Sequence, residues 1–104
     1  MLINLPTHIT DKGNLTVLQE VLPFEIKRIY WIYKSDMQLR GGHRHKKTRQ
    51  ALVAVSGEIT INIENGKDKY STLLDNPSKC LIIEPEEWHT MFFKKNAVLL
   101  VMAS

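Results

Sequence analysis

Apolar and polar residues alternate with a period of two along much of this chain. The clearest example is Ile59–Glu64, where three isoleucines alternate with polar residues. Alternate side chains of a strand point to opposite faces, so this pattern predicts a half-buried strand. Asn65-Gly66 follows, a dipeptide favoured in type I′ hairpin turns because both residues tolerate positive φ. Residues 70–74 are therefore expected to return as the partner strand.

Further segments rich in β-branched and aromatic residues are predicted to form short strands. They are residues 26–33, 52–55, 81–84, 89–93 and 98–102. Only residues 15–22 could form a helical turn, which Pro23 would end. Many short strands separated by turn residues predict an all-β fold. At 104 residues the chain is long enough for a single domain, an antiparallel barrel or a double-sheet jelly roll.

Composition and charge exclude several functional classes. Fourteen lysines and arginines against eleven acidic residues give a net charge of only +3, and no recognition-helix pattern accompanies it, so nucleic acid is not an expected partner. No apolar run approaches the roughly 18 residues of a membrane span, and residues 1–6 lack the features of a secretory signal. Cys80 is the only cysteine, which excludes an intrachain disulfide and fits a cytoplasmic protein. Its apolar neighbours predict that it is a buried filler.

The residues best suited to catalysis or metal binding are two closely spaced histidines, His43 and His45. If this segment is extended, both imidazoles point to one side. Imidazole exchanges protons near neutral pH and is also a common metal ligand, so the pair indicates either a proton-transfer site or a metal site. A basic cluster surrounds the pair and suggests an anionic small ligand such as a nucleotide diphosphate. The cluster comprises Arg40, Arg44, Lys46, Lys47 and Arg49.

These residues resemble the cupin family. Its first motif is a glycine, a His-x-His pair, an acid or amide and a closing glycine, matched here by residues 42–57 with Gln50 as the amide. Its second motif, a proline followed by a histidine, is matched loosely by Pro85 and His89. Further elements in the same order are similar to the dTDP-4-keto-6-deoxyglucose 3,4-ketoisomerases, the WxcM-like sugar isomerases, over nearly the whole chain. They are residues 5–6, 11–16, 23–30, 40–46, 50, 85–89 and 100–104.

This resemblance implies a cupin-type jelly-roll barrel and an isomerase of nucleotide-sugar biosynthesis. Such enzymes move the carbonyl of a dTDP-linked 4-keto-6-deoxy sugar from C4 to C3, and the resemblance implies no metal or organic cofactor. We expect His45 to be the general base and His43 to shuttle a hydroxyl proton or polarise the oxygens. Arg40 would stabilise the oxyanion or hold the diphosphate.

Four other residues are expected to bind substrate. His89 would complete the polar end of the pocket, and Gln50 would orient a histidine or a sugar hydroxyl. Tyr33 and Trp88 are plausible walls for the sugar or thymine ring, although both could equally be core aromatics.

Two alternatives remain open at this stage. One is a metal-dependent small-molecule cupin such as a dioxygenase, although Gln50 replaces the carboxylate that metal-binding cupins usually carry there. The other is a cupin that binds a nucleotide sugar without catalysis. That alternative arises because the sequence ends at Ser104, before the acidic, tyrosine-containing tail that the family resemblance implies. We also expect a homodimer in which residues before about Asp11 reach the neighbouring subunit.

Overall fold

The computed structural model of the protein describes residues 1–43 and 45–104, with His43 described by its backbone. Eleven strands run through this part of the chain. They are β1 (Leu2–Asn4), β2 (Thr7–Thr10), β3 (Gly13–Thr16), β4 (Arg28–Ile32), β5 (Leu39–His43), β6 (Gln50–Ser56), β7 (Ile59–Glu64), β8 (Lys69–Leu74), β9 (Lys79–Ile83), β10 (Trp88–Phe93) and β11 (Val98–Ala103).

The strands form two facing antiparallel sheets and one separate hairpin. The larger sheet has the order β1-β9-β6-β11-β4, the smaller one β5-β10-β7-β8, and β2 pairs with β3. Side chains from the inner faces of both large sheets form the main core, as the alternation in β7 predicts. This core contains Leu52, Ala54, Ile59, Ile61, Ile63, Leu74, Leu81, Ile83, Met91, Phe93, Ala97, Leu99 and Val101. The predicted all-β jelly-roll architecture is therefore confirmed.

A second apolar layer covers the outer face of the larger sheet. Side chains of the segment before β4 pack there, including Leu18, Phe24 and Ile26. They cover a buried row formed by Ala51, Val53, Cys80, Ile82 and Met102. Residues 15–22, the segment that could have formed a helical turn, do not form one, because β3 occupies its beginning and irregular chain follows. The apolar side chains of this irregular segment therefore cover the outer face of the larger sheet.

The turn between β7 and β8 also differs from the prediction. Four residues, 65–68, separate the strands, so the two-residue type I′ turn is wrong. The Asn65 side chain closes this loop instead: its Oδ1 accepts hydrogen bonds from the backbone N–H groups of Lys67 at 3.2 Å and Asp68 at 2.9 Å. Gly66 adopts a φ of 90°. Asparagine therefore acts through its amide oxygen rather than through its own backbone conformation.

No helix long and apolar enough to cross a membrane occurs in the described chain.

The other predicted strands are confirmed with shifts of a few residues at their ends. One shift matters for the site, because β6 begins at Gln50 and carries that side chain on the inward face with Leu52 and Ala54.

The buried Cys80 is expected to lower the stability of the fold at alkaline pH. Desolvation raises the pKa of its thiol from 9.0 to about 11. Between these values the unfolded chain loses its thiol proton while the folded chain retains it, so stability falls as the pH rises. We expect urea unfolding to show an alkaline loss of up to about 3 kcal/mol that Cys80→Ala lacks. Parallel pH profiles for the two proteins would contradict this.

Candidate active site

The pairing of β5 with β10 builds the polar end of the barrel. His43 lies opposite His89 and Arg40 lies opposite Met91, with an irregularity in register between His89 and Thr90. Cross-strand partners share a face of the sheet, so Arg40 is on the inward face with Met91. His89 is also inward and is 1% exposed.

A small cavity of about 130 Å³ lies on this inner face. Its polar lining consists of Tyr30, Arg40, Gln50 and His89, and its other walls are Ile32, Gly41, Leu52, Met91 and Val101. Gln50 Nε2 donates a hydrogen bond to Tyr30 Oη at 3.0 Å. A tyrosine hydroxyl that accepts one bond still has its own proton to donate. The cavity therefore combines a cation, an imidazole and an oriented phenol in mostly apolar surroundings.

His45 lies beside His89, just beyond the end of β5. Their ring centroids are 6.3 Å apart with an interplanar angle of 33°. The backbone of His45 is fixed by the next motif, since its carbonyl accepts a hydrogen bond from Glu86 N–H at 2.8 Å. The expected same-side placement of His43 and His45 involves Arg44 and the His43 side chain, which lie outside the described residues, so it stays a prediction.

The structure does not bring Tyr33 or Trp88 into this cavity. Tyr33 follows β4, is 56% exposed and lines a separate groove with Asn96 and Val98. Trp88 adjoins His89 on β10 and so points to the opposite face, where its ring covers Gly42: a Cβ built there would be 3.6 Å from Trp88 Cζ2. Their expected contacts with sugar or base remain predictions.

Tyr30 is the cavity residue that the sequence reasoning missed. It pairs with Val101 of β11 and faces inward with Ile32, whereas Trp31 is 59% exposed. Residues 29–33 are all apolar or aromatic, so no polar alternation identifies the inward face of this strand. The one sequence signal for an inward Tyr30 is its spacing of two from the apolar Ile32, which places both side chains on the same face of the strand.

Comparison with known proteins identifies the family. The family model described as "FdtA: WxcM-like, C-terminal" matches residues 1–104. The chain belongs to the WxcM-like FdtA family. A curated relative, the TDP-4-oxo-6-deoxy-alpha-D-glucose-3,4-oxoisomerase of Aneurinibacillus thermoaerophilus, is 35% identical over 98% of this chain and 76% of its own. The predicted family resemblance is thus confirmed.

Solved structures of ketoisomerases share this fold. The sugar 3,4-ketoisomerase QdtA of Thermoanaerobacterium thermosaccharolyticum, in complex with TDP, is 36% identical with a TM-score of 0.95. The alignment covers 100% of this chain and 79% of QdtA. The WlaRB TDP-quinovose 3,4-ketoisomerase of Campylobacter jejuni is 36% identical with a TM-score of 0.94, over 100% of this chain and 83% of its own.

The described residues contain no cluster of three or more His, Cys, Asp or Glu that could hold a metal ion. The His43 side chain lies outside that search. The expectation that this WxcM-like protein needs no metal therefore stays a prediction.

The pairing of β5 with β10 requires Gly41. A Cβ there would lie 2.9 Å from the His89 carbonyl oxygen, whereas nothing lies within 4 Å of a Cβ at Gly66. The two glycines have φ angles of 91° and 90°, so Gly66→Ala is a matched control for the conformational penalty. We expect both alanine variants to lose about 1–2 kcal/mol of unfolding free energy from positive φ, and Gly41→Ala to lose clearly more.

Urea unfolding of the two variants measures this difference. Equal losses would mean that β10 adjusts to the added methyl group and that the close approach at Gly41 is not required.

Proposed function

We propose that residues 1–104 act as one domain that converts a TDP-linked 4-keto-6-deoxyhexose into the 3-keto isomer. The observation that carries the proposal is the cavity lined by Arg40, His89 and the Tyr30–Gln50 pair, with the His45 ring next to that of His89. The isomerase activity predicted from the sequence is borne out by the comparisons, because the curated relative and both solved relatives are 3,4-ketoisomerases or oxoisomerases of TDP sugars.

The reaction is a proton transfer across two neighbouring carbons. A base removes the proton from C3, and the C–H electrons form a C3–C4 double bond while the C4 carbonyl becomes an oxyanion. The O3 hydroxyl proton then passes to O4, and C4 takes up a proton as C3 becomes the ketone. A base for such a step needs a pKa near the working pH, which imidazole has. We assign this role to His45 and the hydroxyl-proton transfer to His43.

Three neighbouring groups suit the negative charge that develops on the oxygens. The Arg40 guanidinium lies on the inward face and supplies a permanent positive charge for the enediolate or the diphosphate. Tyr30 can donate its hydroxyl proton to a sugar oxygen, since its phenol oxygen already accepts a hydrogen bond from Gln50. His89 adds a polar group at the buried end. Apolar walls strengthen each of these interactions by lowering the local dielectric.

We propose that this chemistry needs no metal ion. At the position where metal-binding cupins usually carry a carboxylate, Gln50 uses its amide nitrogen as a donor to Tyr30. The positive charge of Arg40 in the same cavity opposes the binding of a divalent cation. A cytoplasmic location is a further inference, supported by the single reduced and buried Cys80.

The direct test is incubation with TDP-4-keto-6-deoxyglucose, with the product identified by NMR. We expect a 3-keto product in the presence of a chelator, and deuterium at the exchanged carbons in deuterated water. His45→Asn should lower turnover by roughly 10² to 10⁴, the effect of a lost general base, while TDP binding measured by calorimetry changes little. His43→Asn should lower turnover less.

Three outcomes would contradict parts of this proposal. TDP binding without any product would indicate a binding protein. Activity abolished by the chelator and restored by one metal would place the protein in the metal-dependent class. Wild-type deuterium exchange at C3 in His45→Asn would move the role of base to His43 or His89.

We further propose that two copies of the chain form a homodimer. Among the described residues the β2–β3 hairpin forms a two-stranded sheet of its own, and Ile9 is 77% exposed. An isolated two-stranded hairpin is marginally stable in water, so this one needs another surface to pack on. On the edge strand β4, Ile29 and Trp31 are also more than half exposed. A second copy supplies such a surface, because edge strands and exposed apolar faces are commonly covered by a symmetric partner.

Light scattering of the purified protein tests the assembly. At micromolar concentration we expect the mass of a dimer for the wild type and for Leu73→Asp, which places a charge on an exposed residue of β8, in the sheet that does not contain β4. Ile9→Asp should shift the equilibrium towards monomer by at least tenfold, because it buries a charge in the proposed interface. A monomeric wild type would refute the dimer.

A further inference from the structure

The turn that connects β9 to β10 is strained and lies against the proposed site. Glu87 N–H donates to the Glu84 carbonyl at 3.2 Å, Pro85 is the second residue, and Glu86 has a φ of 73°. Proline followed by a residue of positive φ is the pattern of a type II turn, which normally carries glycine or asparagine at the third position. A residue with a Cβ costs about 1–2 kcal/mol there, so contacts from outside must hold the turn in place.

The carboxylate of Glu87 supplies two of these contacts. Its Oε1 accepts a hydrogen bond from Glu84 N–H at 2.7 Å, and its Oε2 accepts one from the Tyr70 hydroxyl at 3.1 Å. Partial burial, together with the charge and hydrogen bond of Glu87, raises the pKa of Tyr70, so this hydroxyl remains a donor at neutral pH. One side chain thus ties the beginning of the turn to strand β8. The Arg49–Glu84 ion pair at 3.0 Å adds a tether towards β6.

Backbone groups of two neighbouring residues of this turn contact His45 and His89. Glu86 N–H donates to the His45 carbonyl at 2.8 Å, and the Glu87 carbonyl lies 3.3 Å from His89 Nδ1. A carbonyl oxygen can only accept, so this contact requires the hydrogen of a neutral His89 to be on Nδ1. Nε2 then carries the lone pair. The position of the turn therefore sets the tautomer of one imidazole and the backbone position of the other.

We propose that Glu87 is a positioning residue, whose carboxylate fixes the β9–β10 turn so that His89 keeps its Nδ1–H tautomer and His45 keeps its place beside it. The consequence for turnover rests on the proposed function, whereas the consequence for the His89 tautomer does not. Glu86 is a natural control: it is the neighbouring glutamate in the same turn and its side chain is exposed.

The experiment compares Glu87→Ala, Glu87→Gln and Glu86→Ala. The ring ¹⁵N shifts of His89, recorded without substrate, should report protonated Nδ1 and unprotonated Nε2 in the wild type, in Glu87→Gln and in Glu86→Ala. Glu87→Ala should show a mixture of tautomers. Its kcat should fall between about 10-fold and 100-fold, as expected for a small misplacement of catalytic groups, with KM within about twofold of wild type. Glutamine retains an acceptor for Glu84 N–H and should restore most of the rate.

The readouts separate the possible failures. A lower kcat with an unchanged His89 spectrum, or a rise in KM alone, would overturn the positioning role, and so would wild-type behaviour of Glu87→Ala. If Glu87→Ala does not fold, Tyr70→Phe removes only the 3.1 Å hydrogen bond from the Tyr70 hydroxyl to Glu87 Oε2. A shift of the His89 ¹⁵N resonances in this variant, together with a smaller loss of kcat, supports the proposal. No change in either quantity refutes it. A wild type that yields no product would refute the proposed function and leave the ¹⁵N test decisive for Glu87.

Discussion

The site depends above all on the close pairing of β5 with β10. This register places Arg40 beside Met91 on the inner face and sets the backbone of His43 opposite His89. Gly41 permits it, since any side chain there would collide with the His89 carbonyl. Two motifs that are far apart in sequence therefore meet through main-chain hydrogen bonds, and their side chains need little reach to converge.

Burial then imposes hydrogen-bond partners on the two buried polar side chains at this end of the barrel. Gln50 and His89 are 4% and 1% exposed, and a buried polar group without a hydrogen bond costs about 1–3 kcal/mol. Gln50 satisfies this requirement through Tyr30, and His89 through the Glu87 carbonyl. The hydrogen bonds that stabilise the fold are therefore the same ones that orient the groups of the proposed site.

The sequence predicted the strands whose polar and apolar residues alternate, because period two is a direct consequence of burying one face of a sheet. It failed where that signal is absent. Residues 29–33 are all apolar or aromatic, so the sequence does not distinguish the inward Tyr30 from the exposed Trp31. Residues 15–22 could have formed a helical turn, but Leu18 and Leu22 instead lie on irregular chain and pack against the larger sheet.

Pairwise spacing also could not reveal the turn at residues 84–87. Its side-chain contacts with Tyr70 and Arg49 join residues that are distant in sequence. The family motif identifies Pro85 and His89, but the two glutamates near them resemble ordinary surface charges. Only the fold shows that the Glu87 carboxylate accepts a hydrogen bond from the backbone N–H of Glu84.

The electrostatics of the cavity favour a reaction that passes through an anion. The described residues that line it include a guanidinium, an imidazole and a phenol, and none of them is a carboxylate. In the proposed mechanism the Arg40 guanidinium would interact more strongly with the enediolate than with the uncharged carbonyl of the substrate, because that negative charge exists only in the intermediate. We expect such an interaction to lower the barrier rather than merely to increase affinity. The same preference explains why a rigid frame matters here: donors that are already oriented need no reorganisation when the charge appears.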